Sequence, residues 1–579
     1  MRGILLKLFF LVSVSANAQY FNPLFHLDTL KSNYHIGGEL DSIDLFIGSQ
    51  SSTITGGGWN VVENTFNPQF LHLNPNGQRY YSYLPKLAIT FSGLPHIGFS
   101  YSFGSKGTQF TAMEYQQTFK HGLIVNMTYQ KFRSNGFYRQ GNFDHNNVHA
   151  AIFRKGKIYS MHLNASYASS NVQSNGGLSA DSLPRYYDLI FIPIRKEDAI
   201  LKSKRTNINL DNYLNFLNDS LKAFGLYTNH AFRGKEFRYE ENSDTLASLY
   251  NQINIDSTQT RDAHQLMQIA NGAGIYTNFK RFLLKAGLQA TYWDFRNMGR
   301  FRDTLEINFC SEVNLKLGKI LVSNTLDFNV IGANNEFVNQ SQLSGSFGRF
   351  KIWSFASFEN KLPEYYMRYA YGNNLQNISG SWMKQQRLFL SANIATHFWK
   401  TEPVLSYQFF SGNNNYFFKD TTWSTDVLKN LSVQQFSLRL PLALKWFHFQ
   451  PSYSFSFTQK NFQIVPQHIF LARCMVEGSL FKAKKMRAYA GVDFSLLSNY
   501  QRLAYLDNLG AFNFQSPTEK LSGYNNLHAF FGFQIDEFKF YFRFENIGIL
   551  WNDRATTVAQ RFSLPSQQFR LGVTWDFFN

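Results

Sequence analysis

The sequence predicts an all-β protein: one closed antiparallel transmembrane β-barrel of about 20–22 strands, with short periplasmic turns and long extracellular loops. Three observations lead there. Segment after segment alternates apolar and polar side chains with period two, as strands with one oily and one wet face do. The connections switch between tight turns and long loops. Aromatic residues make up 17% of the chain, 60 of them Phe and 31 Tyr, while mean hydropathy is only -0.29. Lipid-facing bands and interfacial girdles consume aromatics. After the N-terminus no apolar run reaches the ~18 residues that a membrane helix needs.

The clearest unit is 304–331. Leu305, Ile307, Phe309, Val313, Leu315 and Leu317 share one face, broken only by Ser311. Glu306, Asn308, Cys310, Glu312, Asn314 and Lys316 share the other. After a tight turn at Gly318-Lys319 a second strand aligns Val322, Leu326, Phe328 and Val330, with Asn324 among them. Each strand has about the ~9–11 residues that a tilted crossing requires.

In chain order, residues 1–18 read as a secretory signal, with Arg2 and Lys7, an apolar stretch and Ala16-Asn17-Ala18 as the cleavage site. Residues 19–84 lack long alternating strands and form an N-terminal periplasmic or lumen-filling segment. The triplet Gly56-Gly57-Gly58 has no Gly-Lys-Ser/Thr after it, so it is flexible backbone rather than a phosphate loop. The barrel occupies 85–579. Strands are expected at 97–104, 108–119, 122–133, 146–154, 157–169, 264–279, 282–295, 304–317, 320–331, 338–347, 349–358, 382–398 and 402–411. Seven more follow at 433–446, 448–460, 467–480, 485–498, 524–535, 537–547 and 566–577. Residues 204–233 fit either a loop helix, through Leu210, Leu214, Leu217 and Leu221, or one more hairpin. With both termini periplasmic, every short turn is expected on the periplasmic side.

Residues 537–547 fix a register. Phe538, Phe540, Phe542 and Phe544 point one way; Lys539, Tyr541, Arg543 and Glu545 point the other. A slip by one would expose charge to lipid at ~2–4 kcal/mol per Arg or Lys at mid-depth. The last strand puts Phe569, Leu571, Val573, Trp575 and Phe577 outward, a pattern resembling the signal read by barrel-assembly machinery.

The formal charge is +17. Much of the excess sits in turns such as 119–122, 154–157 and 481–487, next to anionic head groups of outer-membrane lipid, so a nucleic-acid partner is not needed to explain it. Cys310 falls on the inner face and Cys474 on the apolar one, which argues against a disulfide. Their number and spacing give no metal site, and no cofactor is expected.

At 134–178 the chain shows Gly136-Phe137-Tyr138 with Gln140, the pair Asn146-Asn147, and Asn175-Gly176-Gly177-Leu178. This resembles the β-barrel porin family of Bacteroidetes-type outer membranes. That pattern places a glutamate before Asn-Gly-Gly, where this chain has Ser174. The resemblance implies a pore-like protein of the cell outer membrane and carries over no substrate and no catalytic residue.

The expected function is a porin-like channel for passive diffusion of small hydrophilic solutes. Pore-lining candidates are Glu306, Glu312, Lys316, Arg439, Arg487, Asp493, Lys539, Arg543, Glu545 and Arg570, whose charges either bias passage or pair across strands to stiffen the wall. The alternative is a loop-sealed structural or partner-binding barrel within an envelope complex. A barrel enzyme is the third reading. Asp144-His145, placed in a predicted loop, is the one tempting pair, and no HExxH, Gly-x-Ser-x-Gly or CxxC occurs. Non-enzymatic function is therefore expected.

Overall fold

The computed structural model describes residues 27–29, 89–91 and 94–579, apart from 180–188, 376–381, 425–429, 459–465, 515–519, 548–556 and a few shorter stretches. The signal expected at 1–18 and most of 19–84 lie outside the described residues. Leu27–Thr29 pairs in parallel with Ile89–Phe91.

The wall is a closed antiparallel barrel of 22 strands. The first seven are β1 His96–Gly104, β2 Thr108–Phe119, β3 Leu123–Ser134, β4 Phe143–Arg154, β5 Tyr159–Gln173, β6 Ala199–Asp219 and β7 Lys222–Asn242. Then come β8 Gln259–Phe279, β9 Phe282–Asn297, β10 Arg300–Leu317, β11 Ile320–Ile331, β12 Phe337–Phe347, β13 Phe350–Lys361, β14 Gln385–Thr396 and β15 Val404–Asn413. The ring ends with β16 Asn430–Arg439, β17 Phe447–Thr458, β18 His468–Ser479, β19 Met486–Leu497, β20 Tyr524–Ile535, β21 Phe538–Glu545 and β22 Gln568–Phe578. β22 pairs with both β21 and β1, so no edge remains open.

The ambiguous stretch 204–233 is hairpin β6–β7. Ile208 and Leu210 face lipid while Asn207 and Asn209 are buried inside, so period two overrides the helical spacing of the leucines. These strands have 21 residues each. That is about twice what a crossing needs, so their polar surplus rises beyond the bilayer.

One expectation needs correction. All connections at one end are short, but the long-loop end also holds the tight connections 105–107, 298–299 and 332–336. A hairpin corner needs only positive φ, which Lys106 (55°), Met298 (47°) with Gly299 (80°), and Asn335 (61°) supply. Loop length is therefore set locally and not by the side of the membrane.

The face assignments hold. On β21, Lys539, Tyr541, Arg543 and Glu545 are buried inside, and Phe542 stacks outside on Phe531 with ring centroids 4.7 Å apart. On β22, Arg570 and Thr574 are buried inside while Trp575 is exposed outside. Both cysteines are free thiols. The interior, though, is not simply polar. Ile124, Phe153, Tyr213, Tyr227 and Tyr276 pack on the inner face of β3–β8, and Met475, Tyr489, Phe530 and Tyr541 on that of β18–β21. Tyrosines lie flat against the wall where the next strand offers glycine: a Cβ at Gly572 would sit 2.2 Å from the Tyr541 ring.

Phe542→Arg should destabilise the barrel by about 2–4 kcal/mol, read from urea-dependent insertion into lipid vesicles. Exchange of the inward Lys316 for Gln should change the same midpoint far less.

Candidate functional site in the lumen and its mouth

Two sectors of the inner wall differ. On β10–β12 the inward rows include Glu306, Glu312, Asn314 and Lys316, then Ser323 and Thr325, then Gln340, Gln342 and Ser344, while β13 turns Trp353, Phe355 and Ser357 inward. Gln340, Gln342 and Ser344 are exposed to the interior. Uncharged amides and hydroxyls dominate, with carboxylates and an amine above and below: a surface that solvates a polar solute without holding it tightly.

On β18–β22 the inner wall is an ionic network. Arg473 grips Asp493 through two nitrogens at 2.6 and 3.0 Å, and Arg543 reaches the same carboxylate at 2.9 Å. Arg570 forks onto Glu545 at 3.2 and 3.1 Å, and Arg543 Nε lies 3.4 Å from Glu545. Three cations share two anions, all inside the wall. Buried pairs of this kind fix geometry more than they add stability, but breaking one leaves a stranded charge at a cost of about 3–5 kcal/mol. Arg487 pairs with Glu477 at 3.0 Å.

The mouth is crossed by loops. Lys196, in the β5–β6 connection, is buried with Glu241 at the end of β7 and with Asp507 of the β19–β20 connection. Its Nζ is 3.0 Å from Asp507 and donates to Tyr239 and Tyr250 at 2.8 and 2.7 Å. β7 and β19 stand almost opposite each other on the ring, so this ion pair ties one side of the mouth to the other. Burial pulls the ammonium down, yet Asp507, Tyr250 and Glu241 outweigh it and hold the Lys196 pKa above its ordinary 10.5. Beside it, Met367, Leu375, Tyr416 and Leu509 from three loops pack into an apolar core. Asn373 ties the β13–β14 loop to the start of β8, its Nδ2 donating to Thr260 Oγ1 and Gln259 O and its Oδ1 accepting from Ile255 N and Asp256 N.

The family-like residues build this same structure. Gly136 takes φ +83° and Gln140 +50°, turning the β3–β4 loop so that buried Tyr138 accepts from Ser563 N at 2.7 Å and donates to Ser563 O at 2.9 Å. Asn175 Oδ1 caps Gly177 N at 2.9 Å, and Leu178 N donates to Arg561 O at 2.9 Å. Ser174 Oγ donates to Asp507 Oδ1 at 2.9 Å. A glutamate there would set two carboxylates face to face, which accounts for the departure at this position.

Above the polar wall, arginines stack on tyrosines of the β13–β14 loop. Arg300 lies 3.8 Å from the Tyr371 ring centroid, Arg302 5.7 Å from Tyr369, and Arg368 4.4 Å from Tyr365. Arg300 and Arg302 are exposed and, among the described residues, have no carboxylate within ion-pair distance. Tyr365 donates to Glu306 at 3.3 Å, and burial followed by that carboxylate pushes its pKa up to about 12, so the hydroxyl keeps its proton. Tyr365 and Tyr366 thus pack the loop into the mouth.

All ten lining candidates lie on the inward face, but in different surroundings. Glu306, Glu312 and Lys316 belong to the polar wall, with Glu312 accepting from Asn314 at 2.9 Å. Arg439 and Arg487 are exposed. Asp493, Arg543, Glu545 and Arg570 belong to the packed ionic wall, where Lys539 is also buried. Asp144 and His145 are in strand β4, not a loop. Asp144 faces outward to Lys131 at 3.2 Å, while His145 stacks inward on Phe143 at 5.2 Å, so the two cannot act on one group. The mouth cluster and the Arg–Tyr stack were missed by sequence reasoning, because they join strand ends to loops that the chain alone does not bring together.

The model of the family described as Putative porin matches residues 69–579. The chain belongs to this family. With a 22-strand barrel, membership indicates an outer-membrane protein of the porin and transporter type. No curated protein matches the sequence. Among solved structures, the copper transporter OprC covers 84% of this chain with 81% of its own at 9% identity and a TM-score of 0.60. The ferric preacinetobactin receptor BauA from Acinetobacter baumannii (9% identity, 84% and 80% covered, TM-score 0.55) and the ferric-catecholate import receptor Fiu from E. coli K12 (9%, 86% and 84%, 0.55) are similar in the same way. At these identities the likeness concerns the barrel alone.

Asp493→Ala should lower stability by about 3–5 kcal/mol by stranding Arg473 and Arg543, read as an earlier loss of the folded gel mobility on heating. The pair Asp493→Ala with Arg473→Met should recover part of that loss.

Proposed function

We propose that this family member is an outer-membrane channel that passes small hydrophilic solutes by diffusion along the polar wall of β10–β12, beneath a mouth narrowed by its own loops. The observation that carries this is the exposed strip Gln340, Gln342 and Ser344, set among hydrogen-bonding side chains while other parts of the inner wall are packed. The arginines at the mouth give the path an anion preference. Of the ten lining candidates, Glu306, Glu312 and Lys316 border the path, and the ionic wall holds its shape. Export through the 1–18 signal, insertion by barrel-assembly machinery and a Bacteroidetes-type outer membrane fit this reading. No catalytic step is assigned. The iron and copper cargoes of the similar structures are not carried over: among the described residues no three of His, Cys, Asp and Glu group as a metal site.

A second reading, a loop-sealed barrel that serves a protein partner of the envelope, draws on the buried Lys196–Asp507 tie across the mouth. Planar-bilayer recording separates the two. Discrete conductance steps from the refolded chain, with a reversal potential on the anion side that moves toward zero in Arg300→Gln/Arg302→Gln, support the channel. Silence from correctly folded protein sinks it and leaves the sealed barrel.

Two further outcomes are expected. Asp507→Ala should raise the conductance, since it frees the β19–β20 loop. The pH response follows from the raised Lys196 pKa: the tie is complete below the ordinary lysine value of 10.5 and is lost as pH rises through the higher folded value. Conductance should therefore stay level through neutral and mildly alkaline pH and increase only beyond the usual lysine range.

A further inference from the structure

The lipid side of the wall divides into two sectors. From β17 to β22 the outward positions at mid-depth are chiefly aromatic or aliphatic, with Phe455 and Phe457 in contact at 4.5 Å and Phe531 stacked on Phe542. From β10 to β13 polar side chains interrupt that surface. Ser311, Asn324, Asn339, Ser341 and Ser354 all face outward near the middle of their strands. The register gathers them: Asn324 is opposite Ser341, and their neighbours Leu326 and Leu343 are opposite Asn339 and Ser354. The outward direction follows from Leu343, which is exposed, and from the opposite faces of the same strands, which carry the lumen's Glu312, Thr325 and Gln340.

The patch is only half satisfied. Asn324 Nδ2 donates to Asn339 Oδ1 at 2.7 Å and to Ser341 Oγ at 2.8 Å. Asn324 Oδ1, Asn339 Nδ2 and the hydroxyls of Ser311 and Ser354 make no hydrogen bond among the described residues. Hydrocarbon offers no partner, and each open polar group is costly there. Protein must supply the missing partners. Ala356 and Ala392 beside the patch leave the wall low enough for a second wall to approach closely. The polar character extends toward β7–β8, where outward His230 and Asn271 bond at 2.8 Å.

The chemistry of the patch selects its occupant. It carries no charge, and each amide presents a donor beside an acceptor, so the surface complements a copy of itself turned about a two-fold axis. We infer that β10–β13 is the membrane-embedded interface at which a second copy of this chain docks, the open amides of one barrel completing those of the other. This stands whether or not the lumen conducts.

The test is cross-linking in intact outer membranes. Asn339→Cys, in a chain carrying Cys310→Ser and Cys474→Ser, should give a product at twice the chain mass with a short bis-maleimide, and Phe531→Cys in the aromatic sector should not. A product at another mass, which would mean a different protein, overturns the proposal; so does equal cross-linking from Phe531→Cys, or none from Asn339→Cys. Independently, Asn324→Leu/Asn339→Leu should weaken self-association of the detergent-folded full chain at least tenfold in analytical ultracentrifugation, while the monomer keeps its folded gel mobility. A monomeric wild-type chain, or an oligomer that the double variant leaves intact, overturns it as well.

Discussion

A polypeptide inside hydrocarbon has nothing to bond its amides to except itself. That constraint determines the rest of this molecule. β22 zips to β1 from His96 opposite Phe578 to Gly104 opposite Arg570, and with that seam every wall amide has a partner strand on each side. Closure then forces the two-faced pattern. Each residue is committed to lipid or lumen by parity alone, and a one-residue slip anywhere would exchange the phenylalanines of β21 for its lysine and arginine.

This is why the wall was legible in the sequence and why its extremities were less so. Parity acts locally, so β10, β11 and β21 could be read from a dozen residues each. It weakens where strands leave the bilayer. The part of β6 beyond the lipid has polar residues on both faces, such as Lys202, Ser203 and Lys204, and nothing there distinguishes a strand from a loop. Asp144 and His145 failed for the same reason: a polar run at the top of β4 looks like a loop when it is a strand above the membrane.

Inside the barrel the local rule is incomplete. Alternation equates apolar with outward, yet Tyr213, Tyr227 and Tyr276 face inward and pack together. Small residues on adjoining strands make room for such rings, a pairing across strands that no single segment displays. The mouth is harder still. Lys196, Glu241 and Asp507 are ordinary surface residue types, the last of them 266 positions beyond Glu241, and only the ring brings them together. The ten candidate charges lie on the inward face, but parity says nothing about whether a charge is exposed, as Arg439 is, or meets another charge, as Arg543 does.

The glycines and tyrosine at 136–138 and 175–178 have a location that bears on how the ring is closed. Tyr138 and Leu178 belong to the first third of the chain, and their backbone partners Ser563 and Arg561 precede the last strand. They clasp the barrel across the joint where its first and last strands meet. The early loops, turned by positive-φ glycines, thus hold the segment that leads into the last barrel strand. Moving the termini to another joint on the ring would keep every wall hydrogen bond and yet leave that clasp with nothing to fasten.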